Sequence, residues 1–251
     1  MPADFHIEAL KAQAVVARTY TMHKILNNGG KHGEANICDD SACCQAWISK
    51  EDRLAKWEEA DREWKWNNII TAVNETAGKI IVYDGQPINA FFHASSGGTT
   101  EMPINVWGGS GYPYLQVVTT AGEDAYGQYS SEVELTKEQV IDKIKQTHSE
   151  VVIDFNDPTA IQILEYTDSG RVKTIKFGNI NLSGVEVRKI FNLRSAKFNV
   201  EVQGDLIKFS VIGYGHGVGM SQTGADALAK EGKVFSDIIN HYYVGVQIID
   251  M

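Results

Sequence analysis

The sequence predicts an α+β fold, with helices and antiparallel strands mixed around a substrate groove. Apolar residues recur at helical spacing in some segments and form short strand pairs in others, without a regular strand–helix–strand repeat. The chain has 251 residues, of which 43% are hydrophobic, and this is enough to bury one sizeable core. We expect one domain over residues 1–251, with a possible small subdomain at about 125–200.

The predicted helices rest on helical spacing and on end signals. Glu8 lies in the first turn of the first helix, where the helix dipole favours an acid. Ser49, Thr136 and Ser183 each open a helix with a capping pattern, because an acidic or amide side chain follows three residues later. The predicted helices span residues 5–26, about 49–64, 67–77, 137–147, 183–191, 221–231 and 235–242.

Strand pairs are predicted across turns that contain glycine. Asp84-Gly85, Asp168-Ser169-Gly170 and Gly204-Asp205 are residue types that adopt the backbone angles of tight turns. The predicted pairs join residues 80–83 to 88–92, 161–167 to 171–177 and 197–203 to 206–212, and a last strand is expected at 245–249.

Composition excludes some classes of function. The net charge is −9 and no Lys/Arg stripe is present, so we expect no nucleic-acid binding, which needs cations to neutralise phosphates. No apolar run approaches the roughly 18 residues that span a bilayer. Because the chain enters an amphipathic pattern directly after Met1-Pro2, we expect it to be part of a longer protein, and any upstream anchor would lie outside this sequence.

Two cations lie on one face of the first predicted helix. Lys11 and Arg18 are seven residues apart, which brings them to the same side with only ~20° of drift. Two neighbouring cations can hold a carboxylate. The alternative is an ordinary solvated helix face.

A polar loop carries possible metal ligands. His32, Cys38 and Cys44 are each six residues apart, and Cys43 is a further candidate. Zinc takes nitrogen and sulfur ligands in a tetrahedron, so this loop could supply three or four corners. An odd number of cysteines disfavours a complete set of disulfides, and unliganded thiols are the alternative.

Two glycine-rich segments are candidate ligand-binding loops. The segment from His93 to Glu101 combines two glycines with hydroxyls that suit sugar hydroxyl groups, and the alternative is a polar turn. The segment from Gly213 to Gln222 places four glycines and His216 before a helix, and the alternative is a tight structural loop. Trp107, beside two glycines, is a candidate surface aromatic residue.

Several segments together resemble the stage II sporulation protein D family. The resemblance covers nearly the whole chain, and its most specific part is Gly215-His216-Gly217-Val218-Gly219-Met220-Ser221-Gln222. The other similar segments are Glu8 to Tyr20, His93 to Glu101, Leu182-Ser183-Gly184, Arg188, Leu193-Arg194-Ser195 and His241-Tyr242-Tyr243.

The resemblance implies a lytic transglycosylase that cleaves the β-1,4 bond between N-acetylmuramic acid and N-acetylglucosamine in peptidoglycan. One glutamic acid protonates the bridging oxygen, and its carboxylate then helps the 6-hydroxyl attack C1, which leaves a 1,6-anhydro sugar. The family's catalytic glutamate stands just before the Met-Pro pair and is therefore expected upstream of Met1. Family members work beside a cell-wall amidase that strips stem peptides during engulfment of the forespore. The implied location is extracytoplasmic, anchored in the mother-cell membrane and facing the forespore.

The resemblance also assigns roles to residues of this chain. Lys11 and Arg18 are expected in the catalytic group together with Glu101, which is with Glu8 the carboxylate nearest these motifs. We expect Lys11 and Arg18 to pair with the lactyl carboxylate of stripped glycan, and the first helix to face both loops across one groove. Zinc is expected on His32, Cys38 and Cys44 as a structural metal. The expected substrate-binding residues are Gln13, Tyr20, His93, Ser95, Ser96, Gly97, Gly98, Tyr214, His216, Gly217 and Gln222.

Two other functions remain as alternatives. One is a non-catalytic glycan-binding module, as in the related amidase-enhancer proteins that share the Gly-His-Gly loop. The other is a zinc amidase acting on stem peptides, which needs a metal with an open position. The loop around Cys38 is typical of a closed structural site and disfavours that function.

Overall fold

The computed structural model describes residues 1–27, 32–33, 35–40 and 43–251. In chain order its helices are α1 (Ile7–Asn27), α2 (Lys50–Ala55), α3 (Glu59–Glu75), α4 (Pro103–Trp107), α5 (Lys137–Lys145), α6 (Gly184–Ile190), α7 (Gln222–Lys230) and α8 (Phe235–Tyr242). Its strands are β1 (Lys79–Tyr83), β2 (Gln86–Pro87), β3 (Phe92–His93), β4 (Ser130–Thr136), β5 (Ile161–Tyr166), β6 (Val172–Phe177), β7 (Ile180–Ser183), β8 (Phe198–Gln203), β9 (Leu206–Ile212), β10 (Met220–Ser221) and β11 (Gln247–Asp250). The strand pairs are antiparallel, so the predicted α+β class is confirmed.

The chain divides into two compact units. Unit 1 consists of residues 1–92 and 225–251, and unit 2 consists of residues 93–224. The possible subdomain at 125–200 falls inside unit 2, and the expected single domain over the whole chain stays a prediction. Among the described residues, no helix has the length and apolarity needed to cross a bilayer.

Unit 1 packs helix α1 against a three-stranded sheet with the order β11-β1-β2. Buried Thr19 connects the two layers, because its hydroxyl donates to the carbonyl of Val15 and accepts the N–H of Ile81. Helices α3 and α8 also contact α1. Strand β1 turns into β2 through Asp84 and Gly85, which both have positive φ, the signature of a type I′ hairpin turn.

Unit 2 contains two three-stranded sheets, β4-β9-β8 and β5-β6-β7. Helices α5 and α6 pack beside them, and the sheets and helices share one apolar core. Phe191 lies at its centre, with its ring 6.0 Å from that of Phe177 and 5.0 Å from that of Phe209. The capping boxes predicted at Thr136 and Ser183 are both present. This core gives the loops that leave its strands a rigid base.

Some predicted elements have different bounds. The second predicted helix ends at Ala55, because the N–H of Lys56 closes a turn onto Arg53 and Leu54, and α3 then runs unbroken from Glu59 to Glu75. The predicted strand 88–92 is wrong in its bounds: β1 pairs with Gln86–Pro87, and Phe92 instead begins the short strand β3. Elements α4, β4 and β7 were not predicted from the sequence.

Candidate functional site

The two glycine-rich segments lie side by side in unit 2. The N–H of Ser95 donates to the carbonyl of Tyr214 at 2.9 Å, and the N–H of Tyr214 donates to the carbonyl of Ser95 at 2.7 Å. A Cβ on Gly213 would lie 2.9 Å from the oxygen of Ser95, so only glycine permits this approach. The structure therefore brings together the two loops that the sequence singled out separately. Because these bonds are mutual, each loop restrains the other.

A buried carboxylate holds this loop pair in place. Glu123 is 1% exposed and lies in a short 3₁₀ segment after Gly122. Its Oε1 accepts from the N–H of Ser96 and from two hydroxyls, and its Oε2 accepts from the N–H of Gly98 and from two more hydroxyls. The four hydroxyls belong to Ser221, Thr223, Ser96 and Thr120.

These six contacts fix the charge state of Glu123. Burial alone would raise its pKa, but the hydrogen bonds, first from Ser221 and Ser96 and then from Gly98, lower the pKa from 4.5 to about 2. Glu123 is therefore an ionised structural centre at neutral pH. No local sequence motif marks Glu123, because all of its partners except Thr120 lie 25 or more positions away along the chain.

A buried arginine supports the same loops from the other side. The guanidinium of Arg171 is held by the carbonyls of Thr99 and Ser96 and by the hydroxyl of Ser169, at 2.8 to 2.9 Å. Burial lowers the pKa of Arg171 to about 10. A Cβ on Gly217 would lie 2.3 Å from Nη2 of Arg171, so the Gly-His-Gly sequence contains glycine where this guanidinium packs against the backbone. No sequence pattern marked Arg171.

Glu101 is bound by hydrogen bonds on both oxygens. Oε1 accepts from the N–H of Met102 at 2.7 Å and from Asn105 at 2.8 Å. Oε2 accepts from Thr167 at 2.6 Å and from Ser169 at 2.7 Å. Burial alone would raise the pKa of Glu101, but these bonds hold it below its ordinary value. Such a carboxylate keeps its negative charge at neutral pH, which suits a structural role and disfavours proton donation. Its predicted catalytic role stays a prediction.

Two histidines and a tryptophan form an aromatic group. The ring of His216 lies 5.5 Å from that of His93 and 5.1 Å from that of Trp107. Nδ1 of His93 donates to the carbonyl of Val218 at 3.1 Å. Burial, and after it the electrostatic effect of His216 and Arg171, hold the pKa of His93 well below its usual range. Nδ1 of His216 accepts the N–H of Val218, so in the neutral ring Nε2 carries the proton.

Trp107 of this group and Tyr214, from the same loop as His216, are exposed aromatic side chains. Trp107 is 51% exposed and Tyr214 is 43% exposed. The guanidinium of Arg194 lies over the ring of Tyr214, 5.2 Å from its centroid. Exposed aromatic rings on a rigid loop can stack against the apolar face of a sugar ring with little rearrangement of the protein.

The remaining predicted loop residues form the backbone of the site. Ser95 and Ser96 are buried, and the carbonyl of Gly97 accepts from Lys197 at 2.8 Å. Gly98 donates its N–H to Glu123, and Gly217 accepts the N–H of Glu101 at 2.8 Å. Gln222 begins helix α7. These positions shape the loops, and their predicted contact with substrate stays a prediction.

The predicted residues of α1 belong to unit 1. Lys11 forms ion pairs with Glu8 at 2.7 Å and Glu75 at 2.6 Å, and these contacts, first with Glu75 and then with Glu8, raise the pKa of Lys11. Nη1 of Arg18 donates to the carbonyls of Thr76 and Lys79 at 2.7 and 2.8 Å. Both cations thus stabilise the packing of unit 1. Their pairing with a substrate carboxylate stays a prediction, as does the groove that they were expected to share with the loops.

Two further α1 positions were expected to bind substrate. Tyr20 is buried, with its ring 5.9 Å from that of Phe91 and 6.5 Å from that of Phe92, and Lys24 lies over the ring at 5.2 Å. Gln13 is half-buried on the same helix. The contacts of Tyr20 favour a packing role.

The His/Cys loop brings four possible metal ligands together. One donor atom from each of His32, Cys38, Cys43 and Cys44 lies within 4.8 Å of the others. Nε2 of His32 lies 3.3 Å from Sγ of Cys44 and 3.8 Å from Sγ of Cys43, and the two sulfurs are 4.0 Å apart. Zinc bonds of about 2.3 Å to sulfur and about 2.0 Å to nitrogen place tetrahedral ligands roughly 3.5–3.8 Å apart. The donor set and its spacing fit zinc, and Cys43 is the fourth donor of the cluster.

Comparisons with known proteins identify the family. A family model described as "Stage II sporulation protein" matches residues 1–83, and one described as "Domain of unknown function (DUF8618)" matches residues 121–219. The chain is 35% identical over 249 residues to stage II sporulation protein D of Bacillus subtilis, covering 99% of this chain and 70% of that protein. The corresponding protein of Bacillus amyloliquefaciens is 34% identical with the same coverage. The amidase enhancer of Bacillus subtilis is 29% identical over 298 residues, covering 99% of this chain and 39% of that protein. The chain therefore belongs to the stage II sporulation protein D family.

Proposed function

We propose that this chain is the glycan-binding domain of a peptidoglycan lytic transglycosylase that acts during sporulation. The observation that supports it best is the loop pair of unit 2. There, Glu123 and Arg171 fix the backbone, and Trp107 and Tyr214 present exposed aromatic faces beside His216. A rigid aromatic surface with imidazole and hydroxyl groups suits a sugar chain. The family membership links this surface to sporulation and the cell wall.

The proposed chemistry needs a carboxylic acid that can both give and take a proton. Glu101 and Glu123 do not suit this step, since their hydrogen bonds lower the pKa of each below its ordinary value. The acid is therefore proposed to be the family glutamate just before the Met-Pro pair. It would protonate the bridging oxygen, and its carboxylate would then accept the proton of the 6-hydroxyl as that oxygen attacks C1. The residues of this chain would bind and orient the glycan.

The test is digestion of peptide-stripped glycan strands by a chain extended upstream to include that glutamate. Mass spectrometry should find 1,6-anhydro-N-acetylmuramic acid ends. The same chain with that glutamate replaced by Gln should yield none, while still binding glycan. Products with ordinary reducing ends would show hydrolysis and contradict the proposal.

A second candidate is a non-catalytic module that binds glycan, and the similarity to an amidase enhancer favours it. It predicts that the extended chain binds stripped glycan with the same affinity as its Glu-to-Gln variant and that neither releases fragments. The digestion experiment therefore distinguishes the two functions.

We also propose a structural zinc on His32, Cys38, Cys43 and Cys44. The spacing of the four donors supports it, and four protein ligands leave no open position for catalysis. Bound zinc would tie down a polar loop whose sequence has little apolar content. Elemental analysis of the protein purified under reducing conditions should give one zinc per chain. A protein that folds with none contradicts this proposal.

The proposed partners and location follow from the proposed activity. Stripped glycan requires an amidase that removes stem peptides, so such an enzyme is the proposed partner. The proposed location is outside the cytoplasm, with the longer protein anchored in the mother-cell membrane. Fractionation of sporulating cells should place it with the membrane, and a cytoplasmic pool alone would contradict this.

A further inference from the structure

Unit 2 contains a cation that its own fold does not neutralise. Arg188 projects from helix α6, and its half-buried guanidinium makes no hydrogen bond or ion pair with any described residue. Burial lowers the pKa of Arg188, and the neighbouring Tyr214 partly opposes this by raising it. A partly buried charge without a counter-ion lowers the stability of the fold, so an unpaired arginine of this kind indicates a binding role.

The surroundings of Arg188 form a small cavity. It has a volume of about 20 Å³ and is lined in part by Arg171, Arg188, Asn105 and His216. A space of that size accommodates one or two waters or the carboxylate end of a ligand. Asn105 is exposed and His216 is half-buried, so the cavity reaches the surface beside the aromatic group described above.

The charges around the cavity favour an anion. Arg188 lies close enough to Arg171 for its positive charge to lower the pKa of Arg171, after the larger effect of burial. Arg171 is balanced by the buried carboxylates Glu101 and Glu123. Glu101 also lines the cavity, but all four of its hydrogen bonds go to Met102, Asn105, Thr167 and Ser169. One positive charge therefore remains uncompensated, and it is that of Arg188.

A second observation points to a ligand in the same place. Arg171 is 2% exposed, and its Nε is a buried donor with no hydrogen-bond partner among the described residues. Its other two nitrogens are both bound to the protein. A buried donor without an acceptor is uncommon in a folded protein, and an acceptor group entering this cavity would satisfy it.

We infer that Arg188 binds the lactyl carboxylate of peptide-free N-acetylmuramic acid and so selects stripped glycan over glycan that carries stem peptides. The inference rests on the proposed glycan-binding function. In glycan with stem peptides the lactyl group is an amide, which has no charge to offer Arg188. Among the cations of this chain, Lys11 already has two carboxylate partners and Arg18 is bound to backbone carbonyls, so the structure favours Arg188 over both.

The test compares binding of three ligands of equal length by the full chain. They are stripped glycan, stripped glycan with its lactyl carboxylates converted to methylamides, and a chitin oligosaccharide, which lacks the lactyl group. Arg188→Gln should weaken binding of stripped glycan by about 10- to 100-fold, the loss expected for a charged hydrogen-bonded contact. Binding of the other two ligands should not change. Lys189→Gln, which removes an exposed cation from the same helix, should bind all three ligands as the natural protein does.

The methylamide ligand tests the inference without any substitution. The natural protein should bind it as weakly as Arg188→Gln binds stripped glycan. Equal affinity of the natural protein for both forms would overturn the inference, as would equal losses for stripped glycan and chitin in Arg188→Gln. If the natural protein binds none of the three ligands, the proposed function itself fails. Arg188→Lys, which keeps the charge but not the planar fork, should retain part of the preference for stripped glycan.

Discussion

Replacement of Glu123 by Gln tests whether one buried carboxylate holds the loop pair. Each carboxylate oxygen accepts from one backbone N–H, that of Ser96 on Oε1 and that of Gly98 on Oε2. Hydroxyl partners can rotate, but a backbone N–H cannot. In either orientation, the amide group of Gln therefore points its NH₂ at a backbone donor. One buried donor loses its acceptor, and the negative charge that strengthens the other contacts is removed.

The magnitude follows from the charge state. A pKa lowered from 4.5 to about 2 corresponds to about 3 kcal/mol of stabilisation. Because the folded pKa lies below the unfolded one, the unfolded chain binds the proton first as the pH falls. The contribution of Glu123 is therefore complete above pH 4.5 and is lost as the pH falls to about 2. At pH 7, Glu123→Gln should lower the free energy of unfolding by about 3 kcal/mol.

The assay is urea denaturation of both proteins across this pH range. The difference in unfolding free energy between the natural protein and Glu123→Gln should be largest near neutral pH and should shrink below pH 4.5. The matched control is Asp124→Asn, which removes the neighbouring exposed acid and should change stability by less than about 0.5 kcal/mol. A Glu123→Gln protein as stable as the natural one at pH 7 would refute the structural role of Glu123.

Three further predictions concern Gly217, Arg18 and the His/Cys loop. Gly217→Ala should lower the free energy of unfolding by about 3 kcal/mol, since its Cβ would lie 2.3 Å from a guanidinium held by three hydrogen bonds. Gly127→Ala, which meets no atom within 4 Å, is its control, and similar losses for both would contradict the steric reason. Arg18→Met should lower the free energy of unfolding, measured by urea denaturation, by about 1–3 kcal/mol, because two carbonyls lose their donor. Lys24→Met, its control, should lower it by less. If Arg18→Met is as stable as the natural protein, Arg18 has no structural role and only the predicted ligand-binding role is left. Cys44→Ser should abolish stoichiometric zinc in elemental analysis and lower the melting temperature, and retention of one zinc per chain would exclude Cys44 as a ligand.

Features set by neighbouring residues could be predicted from the sequence. The capping boxes at Thr136 and Ser183 form as expected, because donor and acceptor are only three residues apart. The turn at Asp84-Gly85 forms for the same reason, since its backbone angles depend on two adjacent residues. The two glycine-rich segments were also recognised, although their direct pairing was not.

Features that depend on distant residues could not be predicted in this way. Strand β4 carries polar and charged residues at alternate positions, and only its pairing with β9 makes it a strand. Lys11 and Arg18 lie on one helix face, as their spacing indicates. Their partners Glu75 and Thr76 are close to them only because α3 packs against α1. Spacing along a helix gives the face of a side chain but not what occupies that face.

The sequence by itself determined the family, the α+β class and the segments that form the candidate site, because these depend on local patterns and short motifs. Only the tertiary structure showed that Glu123 and Arg171 hold those segments and that Arg188 has no counter-ion among the described residues. The physical reason is that the protonation state and the energetic cost of a charged group in a protein interior depend on its desolvation and on the groups that surround it. Here those groups come from segments up to 100 residues away, as for Glu123 and Thr223, and folding alone brings them together.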